Sequence, residues 1–180
     1  METFFKRHIL PVKLFTAILY RDDMWLDKAK KILVKHYGSI DLYTDAVSFR
    51  ETDYYRKEMG DDLKKVWYSF SDLIKPDSLA NIKCQTHEIE ESLKVESEQS
   101  GRVVNIDPGY IELSKIVLAS LKNFSHRIYI GKGVFHEVTM IYKDKQFQEL
   151  LWTYPDYKSK RMKDFFEQVR QKYYVSTKIN

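Results

Sequence analysis

The feature that most constrains the fold is a short apolar segment near the start of the chain, Val12–Tyr20 (VKLFTAILY). Its many β-branched and aromatic residues are typical of a strand that is buried on both faces. A helix that spans a membrane needs about 20 consecutive apolar residues, so this segment is too short to be one. We therefore expect it to be the central strand of a sheet that other elements cover on both sides.

Four segments carry apolar residues at helical spacing. The first follows Asp22 or Asp23 and ends before Gly38, and the second begins at Pro76. The third is predicted after Asp107-Pro108, because an aspartate followed by a proline is typical of a helix start. Its inner face would be Leu113, Ile116, Val117, Ser120 and Leu121. The fourth carries Met162, Phe165, Phe166, Val169 and Tyr173 inward.

Extended segments are predicted at 45–56, 65–72, 102–107, 127–130, 135–142 and 147–151. The predicted element order is therefore βαββα followed by βαβββα. This order indicates an α+β fold in which helices pack on a mixed sheet, formed as a single domain over residues 1–180. The similar order of the two halves suggests a structural pseudo-repeat of residues 12–94 and 102–174, joined by a polar, flexible loop at 95–101.

The amino-acid composition favours a folded protein and excludes disulfide-rich and multi-cysteine metal-binding classes. Hydrophobic residues make up 43% of the chain and charged residues 31%, a balance typical of folded rather than disordered chains. A single cysteine, Cys84, excludes an internal disulfide and a multi-cysteine metal site within one chain. The first residues do not have the pattern of a signal peptide. We expect a cytoplasmic protein that is not integral to a membrane.

Several segments carry a family resemblance when they are taken together. They are residues 14–21, Thr52-Asp53-Tyr54-Tyr55 with Glu58-Met59-Gly60, residues 103–110, His126-Arg127-Ile128-Tyr129, Glu137-Val138-Thr139, and residues 152–157. In these segments the chain resembles a small prokaryotic family of uncharacterised proteins, a domain of unknown function whose members are about as long as this chain. Some members are labelled GTP-binding proteins, but the resemblance implies no established activity, ligand or catalytic residue.

Seven polar residues lie at predicted strand ends or on helix flanks, where a packed scaffold would expose them together. The candidate ligand-binding residues are Asp53, Glu58, Lys83, Arg102, Asn105, Asp107 and Glu137. Asp107 would repel an anion, so a cation or a ligand amine is the more favourable guest there. Capping of the predicted third helix is the alternative role of Asp107, and a solvated turn is the alternative for Asp53 and Glu58.

Two functions are consistent with these residues. The first is binding of a small polar ligand or a nucleotide in a cleft at strand ends, with or without catalysis. The alternative is a non-enzymatic module that binds RNA or another protein through tyrosines and lysines. The sequence contains no phosphate-binding loop of the form G-x-x-x-x-G-K-[ST], no nucleophile motif and no histidine spacing typical of a zinc site. It therefore predicts no metal site and identifies no cofactor, catalytic residue or oligomeric state.

Overall fold

A computed structural model describes residues 9–50 and 55–178 of the chain. The described strands are β1 (Val12–Tyr20), β2 (Ile40–Tyr43), β3 (Val47–Ser48), β4 (Lys64–Ile74), β5 (Val104–Ile111), β6 (Lys115–Ser120), β7 (Ile128–Gly131), β8 (Val134–Lys143) and β9 (Gln146–Glu149). The described helices are α1 (Asp23–Tyr37), α2 (Arg56–Met59), α3 (Leu79–Ser97), α4 (Pro155–Lys158) and α5 (Lys160–Lys178). A 3₁₀ turn, Pro76–Ser78, precedes α3. The predicted α+β class and single domain are confirmed.

The strands form one sheet in the order β2-β4-β1-β5-β6-β8-β7, with β3 also paired to β4 and β9 to β8. The prediction that Val12–Tyr20 is a central, fully covered strand is confirmed, since all of its residues are buried. The elements β1, α1, β2, β4, α3 and β5 follow the β-α-β-β-α-β order of the split βαβ motif. The strands β6 to β9 extend this motif on the side of β5.

Helices cover both faces of the sheet because successive side chains of a strand point to opposite faces. Leu14 and Ile18 of β1 belong to an apolar cluster with residues of α1 and α3. Phe15 and Ala17 belong to a second cluster with residues of α4 and α5. The predicted inner face of the fourth helix is confirmed, since its five residues are buried in α5. In α1 the residues Trp25, Ala29, Leu33 and Tyr37 are buried.

The predicted third helix is wrong. Residues 115–120 form strand β6, and Asp107-Pro108 lies inside strand β5 and does not begin a helix. The run Ile116-Val117-Leu118-Ala119 is buried, and a short apolar run fits a covered strand as well as one side of a helix. The proline is tolerated in β5 because the ladder between β5 and β6 begins only at Gly109.

The structure also changes three further expectations about the chain. The sheet is antiparallel rather than mixed, since every pair of described strands is antiparallel. The suggested pseudo-repeat depended on a helix in the second half, so the order of elements no longer supports it. Helix α3 also continues to Ser97, into the segment predicted as a loop at 95–101.

No helix in the described ranges has the length and apolar character needed to cross a membrane.

Candidate functional site

A cleft of about 470 Å³ opens between strands β5 and β6. The two strands pair only between Gly109–Ile111 and Ile116–Leu118. Before Gly109 comes Pro108, which has no N–H group to donate to a neighbouring strand. The strands therefore separate at Pro108, and the cleft lies in the gap between them.

The gap brings together side chains from both helical layers. Asp107 pairs with Ala17 of β1, whose side chain lies on the face covered by α5. Since residues opposite each other on paired strands point to the same face, the side chain of Asp107 lies on that face. Lys83 comes from α3 on the opposite face, yet its Nζ lies 3.2 Å from Asp107 Oδ1. A continuous sheet would have kept these two residues apart.

Two side chains of α3 form hydrogen bonds with the backbone of β5 where β5 does not pair with β6. Glu90 Oε1 accepts a hydrogen bond from the Ile106 N–H at 2.6 Å, and Lys83 Nζ donates to the Ile106 carbonyl at 2.9 Å. Both side chains are buried. Buried backbone groups need hydrogen-bond partners, so these side chains take the place of a neighbouring strand.

Arg102 connects three polar residues at one end of the cleft. Its Nε and Nη2 each donate to Glu58 at 2.8 Å, and its Nη1 donates to Asn105 Oδ1 at 2.7 Å and to Glu90 Oε2 at 3.2 Å. The hydrogen bonds from Arg102 hold the pKa of Glu58 below its usual value. Asn105 then donates to Asp107 Oδ2 at 2.8 Å, which extends the network to the cleft floor.

Gly101 allows Glu58 and Arg102 to meet. A Cβ atom at Gly101 would lie 1.9 Å from the carbonyl oxygen of Glu58, a distance that no real side chain could adopt. The backbone of Glu58 therefore packs directly against Gly101, and the next residue along the chain is Arg102. A glycine at position 101 is thus required for this ion pair.

Asp107 is an ionised carboxylate that reaches the cleft. Burial opposes its ionisation, but the charges of Lys83 and Lys65 and the hydrogen bonds from Lys83 and Asn105 outweigh burial and lower its pKa. About a third of its side chain, 33%, remains exposed. Its predicted alternative role as a helix cap is wrong, because residues 104–111 form a strand.

Glu137 of β8 is held on the other side of the cleft. Its Oε2 accepts hydrogen bonds from Arg127 Nε at 2.7 Å and from His126 Nε2 at 3.0 Å, and its side chain is 1% exposed. Arg127 also donates from Nη1 to Ser120 Oγ and from Nη2 to the hydroxyl of Tyr154, at 3.1 Å and 2.5 Å. Arg127 therefore fixes Tyr154 to the end of β6.

Aromatic residues form the remaining walls of the cleft, among them Phe49, Tyr55, Tyr154 and Tyr157. Burial and the charge of Glu137 raise the pKa of Tyr154 to about 12. Burial likewise raises the pKa values of Tyr55 and Tyr157. All three hydroxyls are therefore protonated at neutral pH. Among the described residues, the buried hydroxyl of Tyr157 has no hydrogen-bond partner.

The structure brings six of the seven predicted site residues together at one cleft. Glu58, Lys83, Arg102, Asn105 and Asp107 share a hydrogen-bond network, and Glu137 binds separate partners on the other side. Five of them line the cleft: Lys83, Arg102, Asn105, Asp107 and Glu137. Glu58 joins them through Arg102. Asp53 lies outside the described residues. Ligand binding by these seven residues stays a prediction.

Sequence reasoning missed several further cleft residues, among them Lys65, Glu90, Arg127, Tyr154 and Asp156. A signal for Glu90 was present, because Lys83, Thr86, Glu90 and Leu93 follow one another at helical spacing on the buried face of α3. Charged residues on an otherwise apolar helix face are rarely buried without a partner. The ion pair between Lys65 Nζ and Asp156 Oδ2, at 2.5 Å, joins residues 91 positions apart, and no local pattern indicates it.

The described part of the chain contains no group of three or more His, Cys, Asp or Glu side chains that could hold a metal ion. The cleft instead offers ionised and hydrogen-bonding side chains between aromatic walls.

Comparison with known proteins gives one match. No curated protein and no solved structure matches this chain. A family model described as Domain of unknown function (DUF4416) matches residues 10–173, which include β1, the whole cleft and most of α5. The chain therefore belongs to this family of proteins of unknown function.

Proposed function

We propose that the cleft between β5 and β6 binds a small polar ligand. The observation that carries this proposal is the convergence of charged side chains from distant segments on one cavity: Glu58, Lys83, Glu90, Arg102, Asp107, Arg127 and Glu137. Removing a charge from water costs several kcal/mol per ion, and well-packed apolar residues are often as stabilising as a buried ion pair. Such a concentration of buried charge beside a cavity is typical of a functional site.

The size and walls of the cavity suit a small molecule. A volume of about 470 Å³ lies within the range of ~300–1,000 Å³ that small-molecule sites occupy. Apolar rings on the walls would pack against a ligand, while Asp107 and the tyrosine hydroxyls would orient it by hydrogen bonds.

A nucleotide is a second candidate ligand for this cavity. The tyrosine rings would stack on a base, as aromatic side chains do in many nucleic-acid-binding proteins. Most of the lysine and arginine side chains that line the cleft are already paired with carboxylates, among them Lys65, Lys83, Arg102 and Arg127. We therefore expect a nucleoside to be preferred to a triphosphate, for which the chain also lacks a phosphate-binding loop.

The test is a thermal-shift screen of the full chain against nucleosides, nucleotides, sugars, amino acids and amines. A ligand at 100 times its Kd adds about 2.7 kcal/mol to the free energy of unfolding, so a true ligand raises the melting temperature measurably. Each hit is then titrated by calorimetry against Asp107→Asn, with Asp77→Asn as the matched control. Asp77 is exposed in the 3₁₀ turn before α3 and does not line the cleft.

We expect at least one class of ligand to bind, and we expect Asp107→Asn to weaken it about tenfold or more, or ~1.4 kcal/mol. The control should bind as the unmodified chain does. A screen with no stabilising compound would contradict the proposal. The alternative, an RNA- or protein-interaction module, would then be favoured if the chain bound single-stranded RNA or formed a stable complex with another protein.

A further inference from the structure

Three tyrosines and one carboxylate face the same cavity. Tyr55, Tyr154, Tyr157 and Asp107 all line the cleft, and the rings of Tyr154 and Tyr157 lie 6.1 Å apart. The charge of Asp107 contributes to the raised pKa of each of the three hydroxyls, so all three lie within its electrostatic reach. The face of an aromatic ring is negative and attracts a cation that lies within about 6 Å of its centre.

The arginines of the cleft have little capacity left for a ligand anion. Arg127 donates to Glu137, Ser120, the carbonyl of Lys122 and Tyr154. Arg102 donates twice to Glu58 and once each to Glu90 and Asn105. An anion would have to displace buried carboxylates such as Glu90 and Glu137, each 1% exposed, and leave them without a partner.

Two lysines of the cleft, Lys65 and Lys83, are similarly engaged. Lys65 donates to Asp156 at 2.5 Å in a pair whose side chains are 11% and 10% exposed. Lys83 donates both to the Ile106 carbonyl and to Asp107. Breaking one partner away from a buried ion pair is strongly destabilising, and a weak ligand contact does not compensate for that loss.

Asp107, by contrast, keeps acceptor capacity on the side of the cavity. Among the described residues, its Oδ1 accepts from Lys83 at 3.2 Å and its Oδ2 accepts only from the neutral amide of Asn105, at 2.8 Å. An ionised carboxylate offers about four acceptor positions, so each oxygen can take another donor. The side chains of Glu90 and Glu137 are each 1% exposed, whereas 33% of the Asp107 side chain is exposed.

We infer that the cleft selects a small organic amine in its ammonium form, with the ammonium group on Asp107 Oδ2 and its carbon skeleton among Tyr55, Tyr154 and Tyr157. This inference rests on the proposed function and names the class of ligand. A hydrogen bond between an ammonium and a carboxylate is roughly twice as strong as a neutral one, and the rings add cation–π attraction. Lys83 does not block this position, because it binds the other oxygen of the carboxylate.

A series of three probes with one ring tests the inference. They are 2-phenylethylamine, 2-phenylethanol and 3-phenylpropanoate, which present an ammonium, a hydroxyl and a carboxylate on the same skeleton. Their Kd values are measured by NMR titration or calorimetry on the full chain at neutral pH. We expect the amine to bind with a Kd of about 1 mM or lower, and about tenfold or more tightly than either other probe.

Variants separate the contribution of the Asp107 charge from that of the Tyr154 ring. Asp107→Asn keeps the shape of the side chain and should weaken the amine about tenfold while leaving the alcohol within about threefold. Tyr154→Phe keeps a ring and should leave the affinity for the amine within about threefold of the unmodified chain. Tyr154→Leu removes the ring and should weaken amine binding more than Tyr154→Phe does. The melting temperature of each variant is recorded, and the Tyr154 pair carries the test if Asp107→Asn does not fold.

Three results would overturn the inference: no detectable binding of the amine, equal or tighter binding of the propanoate, or unchanged amine affinity in both Asp107→Asn and Tyr154→Leu. If any of these occurs while another compound class stabilises the chain in the wider screen, the cleft is a ligand site and only the named class is wrong. If no compound in either experiment binds, the proposed function fails as well.

Discussion

At the scale of single residues, Lys13 illustrates how a buried charge is accommodated in this fold. It lies in the central strand β1 with 1% of its side chain exposed, and its Nζ donates to Asp41 Oδ2 at 2.7 Å and to the Phe70 carbonyl at 2.6 Å. Ser69 donates to the other oxygen of Asp41 at 2.5 Å. Asp41 lies on β2, which is separated from β1 by β4, so the pair spans three strands.

The pair makes stability depend on pH in a defined direction. Burial opposes ionisation of Asp41, but the hydrogen bonds and charge of Lys13 and the hydrogen bond of Ser69 outweigh it and lower the pKa of Asp41. A carboxyl whose pKa is lower in the folded state stabilises the fold above its unfolded pKa of about 3.9. That contribution is lost as pH falls through this value towards the folded pKa.

Lys13→Met should therefore lower the free energy of unfolding at pH 7 by about 3–5 kcal/mol, because Asp41 loses its main cation and stays buried. Lys172, 3.8 Å from Asp41, would keep the loss near the lower figure. The difference from the unmodified chain should shrink below about pH 4. Urea denaturation across pH measures it, with Lys160→Met as control, since that exposed pair should contribute at most about 1 kcal/mol. Equal losses in the two variants would contradict this reading.

Most residues of the candidate site could be predicted from the sequence, but the contacts between them could not. Glu58, Lys83, Arg102, Asn105, Asp107 and Glu137 could be named because each lies beside a predicted strand end or on a helix flank. Their pairings could not be predicted, because they depend on the separation of β5 from β6. That separation is invisible while residues 115–120 are assigned to a helix.

At the scale of elements, the connection between α3 and β5 sets the position of Arg102. The connection passes Gly101, whose Cα lies so close to Glu58 that a side chain would overlap the Glu58 carbonyl. The short helix α2, which contains Glu58, is therefore docked against the start of β5 by backbone contact and by the doubly bonded pair with Arg102.

Gly101→Ala should separate these two elements. The added methyl group forces the backbone of Glu58 away, and overpacking of this kind costs about 1–3 kcal/mol. Chemical denaturation measures the loss, and Ser100→Ala, an exposed neighbour, should change stability by no more than about 0.5 kcal/mol. If the two substitutions had the same small effect, the close contact at Gly101 would be wrong.

Elements with a long periodic pattern were predicted well, and short apolar ones were not. Helices α1, α3 and α5 each run for 15 residues or more, so their inner faces recur several times in the sequence. Strand β6 has six residues, and its apolar run does not distinguish a covered strand from a turn and a half of helix. Pairing with its neighbours in the sheet, β5 and β8, decides its conformation, and the residues of β6 alone do not indicate that pairing.

At the scale of the whole molecule, one sheet separates two large apolar clusters, and helices α3 and α4 on its opposite faces both contribute residues to the cleft. Phe166 of α5 shows the connection on the α5 side. It is fully buried, its ring meets Phe15 of the central strand edge to face, and it stacks on Tyr157 at 5.4 Å. Tyr157 in turn is a wall of the cleft.

Phe166→Ala should destabilise the chain by about 3–5 kcal/mol, since it removes a large buried side chain and leaves a cavity. The matched control is Phe124→Ala, because the side chain of Phe124 is 65% exposed and should cost little. Guanidinium denaturation of both variants gives the comparison. A loss at Phe166 no larger than at Phe124 would show that α5 does not cover the sheet as described.

Two side chains of α3 take the place of a neighbouring strand beside Ile106. The solvent exchange of this one backbone amide proton therefore reports on the cleft. In an ordinary sheet, the solvent exchange of an amide proton follows the opening of its ladder. The amide of Ile106 donates to the carboxylate of Glu90, which also accepts from Arg102. Its exchange rate therefore depends on whether the ion network beside the cavity is intact. In an isotope-labelled chain, a ligand bound in the cavity would change the exchange rate of that one amide proton.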